Sequence, residues 1–505
     1  MIPQNFPPKS SAEQTKDALL LLMLLLCAAL VISIRTYFHL SFSQALYTFV
    51  ATVCSLGVAG VYILAGRKTK AAYRPQGHPI ELGEIVPEKV LERPKSLTIG
   101  VDDIRHILIT GTTGSGKSTL IRRMIREVAR HDLPFLLVDF KGDQGDFEEV
   151  VRIARSSYLD DRLQVLDLTD VQNSKTCNFL KVFKNVEESV GFVIELFEFD
   201  EPFYREAAED FLRHALRLFD HLAEERSFIN LELLLRDELY RKRLLNKVSP
   251  KDRQLPFYLF FAGRFERQRE DDRYRTYAGF LNKLSAFTDG EFKRIFNPIE
   301  ASFRLAKLFE DNQSAIIRIP GEAWGELSKR LVKGFLRAIP VLLSKRRLST
   351  SQRDYFLFLD EQCSYPSSNL IDIVKKAGSV KVHCVVTRQC VGDFDRIGSE
   401  AEAQMVSACS LKFNFKSLDP HTRDALSKQS GTSETLKSTR RMRMGSDTGE
   451  ASERDVQEFR VAPDAYQTLK PGECFISARL NHFDIDRKMK VHEPFFDREV
   501  INDRI

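Results

Sequence analysis

Residues 106–119 read HILITGTTGSGKST, and this stretch decides the fold. Ile107 to Thr110 form a short run with strand character, and Leu120, Ile121, Met124 and Ile125 follow at helical spacing. Between them Gly111, Thr112, Thr113, Gly114, Ser115, Gly116, Lys117 and Ser118 fill the pattern G-x-x-x-x-G-K-[ST], with Thr119 immediately after. A strand entering such a loop and a helix leaving it is the context that marks a phosphate-binding site. The glycines let backbone N–H groups curl inward, and the helix adds its positive N-terminal end, so the loop can cradle a triphosphate. Lys117 is placed to reach the β and γ phosphates, and Ser118 to ligate Mg²⁺. ATP and Mg²⁺ are the expected ligands.

On the C-terminal side the pattern alternates. Leu133 to Asp139 (LPFLLVD) is a second buried strand, followed by Phe140-Lys141-Gly142-Asp143. Asp139 ends that strand beside the phosphate site, where it either holds a catalytic or Mg²⁺-bound water or caps the next turn. Leu163 to Leu168 is a third strand, and Ser314 to Ile319 a fourth, followed by a helix from about Glu326 to Leu343. Such alternation implies a parallel, doubly wound sheet with helices on both faces. Asp354 to Asp360 (DYFLFLD) closes on Asp360-Glu361. In a phosphate-loop NTPase this pair orients Mg²⁺ through water (Asp360) and polarises the attacking water (Glu361). Val382 to Thr387 is a further buried strand, and Gln389 just past its end can touch the γ-phosphate. Leu411 to Phe415 is one more strand. Residues 427–455 are Ser/Thr/Gly-rich with Arg440, Arg441 and Arg443, and read as a mobile excursion. Phe475 to Ala478 and Phe483 to Val491 suggest a closing hairpin.

From about Asn185 to Asn297 the strands give way to helical spacing, a helical insertion within the α/β domain. Its basic clusters are interleaved with acids, so a solvated surface is the default reading; the same holds for Arg122, Arg123, Arg126 and Arg130 on the helix after the loop. On the N-terminal side, residues 70–105 look like an entry segment that adds edge strands. Before it, Ala18 to Ile34 is an uncharged apolar run extended by Tyr37 and Phe38, and Ala45 to Gly66 is a second, long enough for a bilayer of about 30 Å. The two read as a transmembrane hairpin. Lys9 and Lys16 before it, and Arg67, Lys68, Lys70 and Arg74 after it, place both ends in the cytoplasm. A cleaved signal peptide followed by one anchor is the rival, but it would export the nucleotide-binding domain away from ATP.

Composition agrees with a globular body. The chain has 505 residues, 43% hydrophobic and 29% charged, with a formal net charge of +5. Its 8 cysteines contain no C-x-x-C pair, which fits neither a zinc site nor a disulfide framework and suits a reducing compartment. The expected fold class is α/β: a RecA-like P-loop nucleotide-binding domain with an all-α insertion and an N-terminal two-helix transmembrane hairpin. The expected divisions begin with 1–70, carrying spans at about 18–38 and 45–66. The nucleotide-binding domain follows in two segments, 71–184 and 300–505, separated by the all-α insertion at 185–299.

The order HILITGTTGSGKST, FLLVDFKGD, CNFLKVF, AGFLNKLSAF, YFLFLDEQ, VVTRQ and LKPGECFISA, behind a membrane hairpin, resembles the type IV coupling proteins. These are the TraD/TraG-type ATPases of conjugation, within the FtsK/HerA group of motors. The resemblance implies a hexameric ATPase at the bacterial inner membrane, with nucleotide at subunit interfaces. It would recruit the relaxosome and drive single-stranded DNA with its attached relaxase to a type IV secretion channel. Secretion of protein effectors without DNA is the alternative. The implied partners are non-specifically bound single- and double-stranded DNA, relaxase and relaxosome proteins, secretion-channel components, membrane lipids and further copies of the chain. Carried over by position, Gly111 to Thr119 are the Walker A residues, Asp360 and Glu361 the Walker B pair, and Gln389 a sensor-like glutamine; Lys117, Glu361 and Gln389 are the catalytic candidates. The sequence departs from the family where members often carry an arginine that acts across the subunit interface. Lys375, Lys376 and Lys381 stand there, and a lysine lacks the planar fork. Either a lysine serves or another arginine such as Arg330, Arg337 or Arg388 reaches across. Longer relatives carry an acidic C-terminal tail; none is expected here, since the sequence ends at Ile505.

Overall fold

The computed structural model describes residues 73–492, leaving out 74, 88–92, 158–162, 322, 348–351, 362–364, 444–445 and 481–482. Among the described residues no helix is long and apolar enough to cross a membrane. The two expected spans, 18–38 and 45–66, lie outside them.

The described residues from 75 to 492 form one compact unit around an eleven-stranded sheet. Its strands are β1 Pro79–Ile85, β2 Lys95–Gly100, β3 Ile107–Thr110, β4 Phe135–Asp139, β5 Leu163–Asp167, β6 Ser314–Arg318, β7 Tyr355–Leu359, β8 Val382–Arg388 and β9 Leu411–Asn414, then β12 Glu473–Leu480 and β13 Phe483–Lys490. A separate ribbon pairs β10 Thr432–Arg443 with β11 Ser446–Phe459. The spatial order is β2-β1-β13-β12-β9-β3-β8-β7-β4-β6-β5. From β9 to β5 all neighbours are parallel. Strands β3, β4, β6 and β7 are buried along their whole length, so they read as mostly apolar runs rather than alternating, with polar residues such as Thr110, Asp139, Ser314 and Arg318 only at their ends. The other four strands form an antiparallel wing on β9. The entry segment thus supplies edge strands, and it is the end of the chain that carries them onto the sheet.

The helices that matter for the site are α1 Lys117–Arg130 and α2 Gln144–Ser157. Beyond β5 the described chain is helical up to Glu310. Its main members are α3 Val186–Phe197, α4 Pro202–Leu222, α5 Phe228–Arg236, α6 Glu238–Lys247 and α7 Glu270–Thr288. Asn185 starts this region by accepting the N–H groups of Glu187 and Glu188, a side-chain N-cap. Phenylalanine rings fill its centre: Phe211 lies 5.7 Å from Phe261, 5.8 Å from Phe265 and 6.0 Å from Phe280. Rings at these spacings and tilts pack without polar partners, so the region holds a core of its own that joins the sheet's core.

The excursion expected at 427–455 differs in the structure. Pro420–Ser430 is a helix, and the chain from Thr432 to Phe459 is a long antiparallel ribbon with one register shift between Arg440 and Met442. Threonines and valine favour extended backbone, and two strands satisfy each other's main-chain groups without joining the large sheet. The polar composition of the segment masks this pairing.

Candidate functional site

The parallel topology brings the sequence-marked residues to one edge. β3 lies next to β8, and β8 next to β7, so one strand separates the phosphate loop from Asp360-Glu361. Register sets the levels: Thr110 faces Arg388, and Leu359 faces Val386. The loop 111–116 therefore leaves the same C-terminal edge as Asp360 and Asp139, the edge at which open α/β sheets bind ligands.

The loop is built around its glycines. Gly114 has φ +73° and Gly116 φ +111°, both outside the range comfortable for other residues. A Cβ on Gly116 would stand 2.8 Å from the backbone nitrogen of Gly472. That contact is real in the native chain, since Gly472 N–H donates to the Ser115 carbonyl at 2.9 Å. Thr112 is tied to the exit of β9: its N–H and its hydroxyl both reach the Lys416 carbonyl, at 3.0 and 3.2 Å. Gly116 gives α1 no side-chain cap, so the first turn of α1 presents its N–H groups toward the loop's hollow. The Ser115 hydroxyl is buried with no hydrogen-bond partner among the described residues. Lys117 Nζ donates to the carbonyls of Gly111 (2.7 Å) and Thr112 (3.1 Å).

A cavity of about 400 Å³ opens here. Thr113, Gly114, Gly116, Lys117, Ser118 and Thr119 line one side, and Asp360 and Glu361 another. Thr387 fixes the acidic pair. Its hydroxyl donates to Asp360 Oδ1 at 2.7 Å, and accepts the Glu361 N–H at 2.8 Å. Glu361 itself holds φ +50°, a left-handed conformation that costs a non-glycine residue about 1–3 kcal/mol. Burial raises the Asp360 carboxyl above the usual range, against the Thr387 hydrogen bond and the Lys117 charge, which lower it. Asp139, level with Asp360 on the neighbouring strand, is pushed up to about 6 by burial and then by the Asp360 charge. Its Oδ1 accepts the N–H groups of Lys141 (3.0 Å) and Gly142 (3.3 Å), so of the two readings left open, capping the turn is what this oxygen does.

An uncapped helix start, an orphaned buried hydroxyl and inward-facing glycines fit a polyphosphate. Ser118 and Asp360, hard oxygen donors on one cavity, fit Mg²⁺. When bound, the ion would neutralise charge on the β and γ phosphate oxygens.

Other residues enter the site although the motifs do not mark them. Arg122, Lys141 and Asp146 line the same cavity, as do Pro471, Gly472 and Val491. Arg122 pairs with Asp146, and Arg123 with Glu81 of β1 at 2.9 Å, with arginine side-chain exposures of only 12% and 13%. These two arginines are therefore built into the fold and do not form a solvated face. Thr387 has a sequence signal, a hydroxyl closing the apolar run Cys384–Val386. Gln389 follows β8 with an exposed side chain, and its N–H donates to Asp393 at 2.8 Å; it does not line the 400 Å³ cavity. Arg388 is wholly buried, donating from Nε to Thr110 Oγ1 at 2.9 Å and paired with Glu402. It is not placed to reach a second molecule. Lys381 sits at the opposite end of β8 from Gln389.

Two family models match the chain: the helicase HerA central domain over residues 80–321, and the TraM recognition site of TraD and TraG over residues 355–466. No curated protein matches. Among solved structures, the unbound bacterial conjugative coupling protein TrwBΔN70 is 16% identical, with 85% of this chain and 92% of that chain covered and a TM-score of 0.58. TrwB in complex with ADP and Mg²⁺ is 18% identical, with coverages of 78% and 86% and a TM-score of 0.56. VirB4 of Thermoanaerobacter pseudethanolicus is 12% identical, with coverages of 84% and 98% and a TM-score of 0.50. At these identities the structures speak for a shared fold, and the two family models, consecutive along the chain, speak for descent. The chain belongs to the TraD/TraG-type coupling ATPases of the HerA-related P-loop group.

Proposed function

We propose that this protein is a membrane-anchored ATPase that couples ATP hydrolysis to export through a type IV secretion channel, acting on relaxase-bound single-stranded DNA. One observation carries the hydrolytic step: Lys117, Ser118, Asp360 and Glu361 line a single cavity at the end of three neighbouring strands. Glu361 polarises the attacking water, Lys117 takes the β and γ phosphates, and Ser118 with Asp360 holds Mg²⁺. TrwB structures with a non-hydrolysable ATP analogue and with ADP and Mg²⁺ support this ligand set. Gln389 senses the γ-phosphate only if the turn after β8 shifts toward the loop.

The apolar runs at 18–38 and 45–66 support a two-span anchor in the bacterial inner membrane, with the bulk of the chain cytoplasmic. Relaxosome proteins and channel components are the partners, and the working form is a homohexamer. With Arg388 locked in the core, Arg330 and Arg337 on α8 (Glu326–Arg346) are the arginines left to complete a neighbour's site. DNA is engaged through its phosphates, independently of sequence and weakened by salt.

The test is an ATPase assay of the detergent-solubilised full chain, with and without single-stranded DNA, alongside sizing. DNA-stimulated turnover by a hexamer is expected. Turnover indifferent to DNA but stimulated by secreted proteins would replace DNA by protein cargo, and absence of turnover would remove the enzymatic reading.

A further inference from the structure

Phe140-Lys141-Gly142-Asp143 borders the nucleotide loop, yet the hydrolytic scheme gives it no task. Lys141 lies two residues beyond β4. Asp139 Oδ1 holds the turn through the N–H groups of Lys141 and Gly142, and Gly142 takes φ +70°, so the turn has a fixed shape. The Asp360 N–H donates to the Val138 carbonyl at 3.3 Å, which puts this turn beside Asp360-Glu361. Lys141 accordingly lines the same cavity as Lys117, Ser118 and Glu361. Its Nζ donates to Asp146 Oδ2 at 3.1 Å, with exposures of 38% and 30% for the two side chains. The other Asp146 oxygen takes Arg122, whose second nitrogen donates to Thr119 Oγ1 at 3.3 Å. Asp146 is anchored in turn, its N–H donating to Asp143 Oδ1 at 2.9 Å.

Asp146 is thus held from several sides, whereas Lys141 is a flexible chain on a fixed turn with its ammonium at the cavity wall. A half-exposed ion pair is held weakly, and a charge-assisted bond to phosphate is stronger. An ammonium has three donors and no planar demand, so it can change partner by rotating its stem.

We propose that Lys141 is a second phosphate-contacting lysine of this site, leaving Asp146 for the γ-phosphate of a bound nucleoside triphosphate and returning once that phosphate has gone. The inference rests on the nucleotide reading of the site. It separates two tasks: Lys117, rooted in the loop, serves triphosphate and diphosphate alike, while Lys141 reads the difference. It also gives the site a second lysine from its own chain, beside Lys117 and Arg122.

The test is equilibrium titration of the full chain, in detergent with Mg²⁺, with a non-hydrolysable ATP analogue and with ADP. Lys141→Gln is expected to weaken triphosphate binding about tenfold and leave ADP binding unchanged. Asp146→Asn, which releases Lys141, is expected to shift the same ratio toward the triphosphate. An unchanged triphosphate-to-diphosphate ratio in Lys141→Gln overturns the proposal. So does an equal loss of both ligands, which would mark a structural role. If the unsubstituted chain binds neither ligand, the nucleotide reading itself fails and this inference goes with it.

Discussion

The Thr387 hydroxyl donates to Asp360 Oδ1 at 2.7 Å while accepting the N–H of Glu361 at 2.8 Å, so one side chain on β8 sets both members of the acidic pair after β7. Removing it takes a hydrogen bond from Asp360 and an acceptor from the Glu361 N–H, leaving the 3.0 Å bond from that N–H to Asp360 Oδ1 to hold the pair. Thr387→Val, close in shape, is expected to lower kcat about 10–100-fold while ATP affinity stays within about twofold. Steady-state ATPase and nucleotide titration check this. A fall in affinity with kcat intact would contradict it.

Arg388 yields a contrasting expectation. Its guanidinium is enclosed between Thr110, Glu402 and the Phe394 ring, 5.4 Å from the ring centre. Arg388→Met leaves Glu402 without its cation, and breaking one side of a buried ion pair costs about 3–5 kcal/mol. Denaturant unfolding should show that loss. Full stability with ATPase lost, and rescued on mixing with a Lys117→Ala protein, would instead mark Arg388 as acting between subunits.

Gly116→Ala combines a positive φ with a Cβ 2.8 Å from Gly472 N. Nucleotide binding is expected to fall at least about tenfold, with the melting temperature also reduced. Gly472→Ala, at φ +80° and 3.1 Å from the Val491 carbonyl, should weaken binding in the same direction although it lies far along the chain. Isothermal titration distinguishes these from a purely global effect.

His106 gives a pH dependence. Burial, then the charges of His383 and Arg105, lower it to about 3, and its Nδ1 accepts the Cys384 N–H at 3.1 Å. The folded chain keeps it neutral where the unfolded chain protonates it near 6.5. A lowered pKa contributes stability that is present above about 6.5 and lost as pH falls toward about 3. Between about pH 6.5 and 4.5 the loss from this group is of order 2–3 kcal/mol. Urea unfolding across that window should show it, and His106→Asn should flatten the slope. An identical slope in the variant would mean that other groups control acid unfolding.

The elements of the fold legible in sequence are those carried by contiguous residues. Gly111 to Ser118 announce their loop because its geometry requires glycine at fixed intervals, and Asp360-Glu361 ends a strand that is apolar on both faces. Gln389 is legible as a position, but its side-chain direction depends on how Asp393 holds the following turn. Arg122 and Arg123 read as solvent-facing charges, because their partners Asp146 and Glu81 come from separate elements. Lys141 is visible within FLLVDFKGD, but its nearness to Glu361 follows only from the adjacency of β4 and β7. Pro471 and Gly472 stand in the stretch LKPGECFISA, but their place in the site is not legible there, since strand order brings them to the loop.

That last contact has a consequence for the birth of the protein. The wing interleaves the two ends of the described chain: β1 pairs with β13, and Gly472 and Val491 meet the loop that begins at Gly111. During synthesis the glycine-rich loop is made well before the part of its wall that comes from Pro471, Gly472 and Val491. A growing chain that has β3, α1 and β7 with the residues that follow it carries every nucleotide-contacting side chain of the proposed scheme, yet its pocket stays open on one side. The proposed nucleotide site is therefore finished only once the segment from 471 to 491 has been made, and a chain truncated before residue 471 should lack a finished pocket even with its motifs intact.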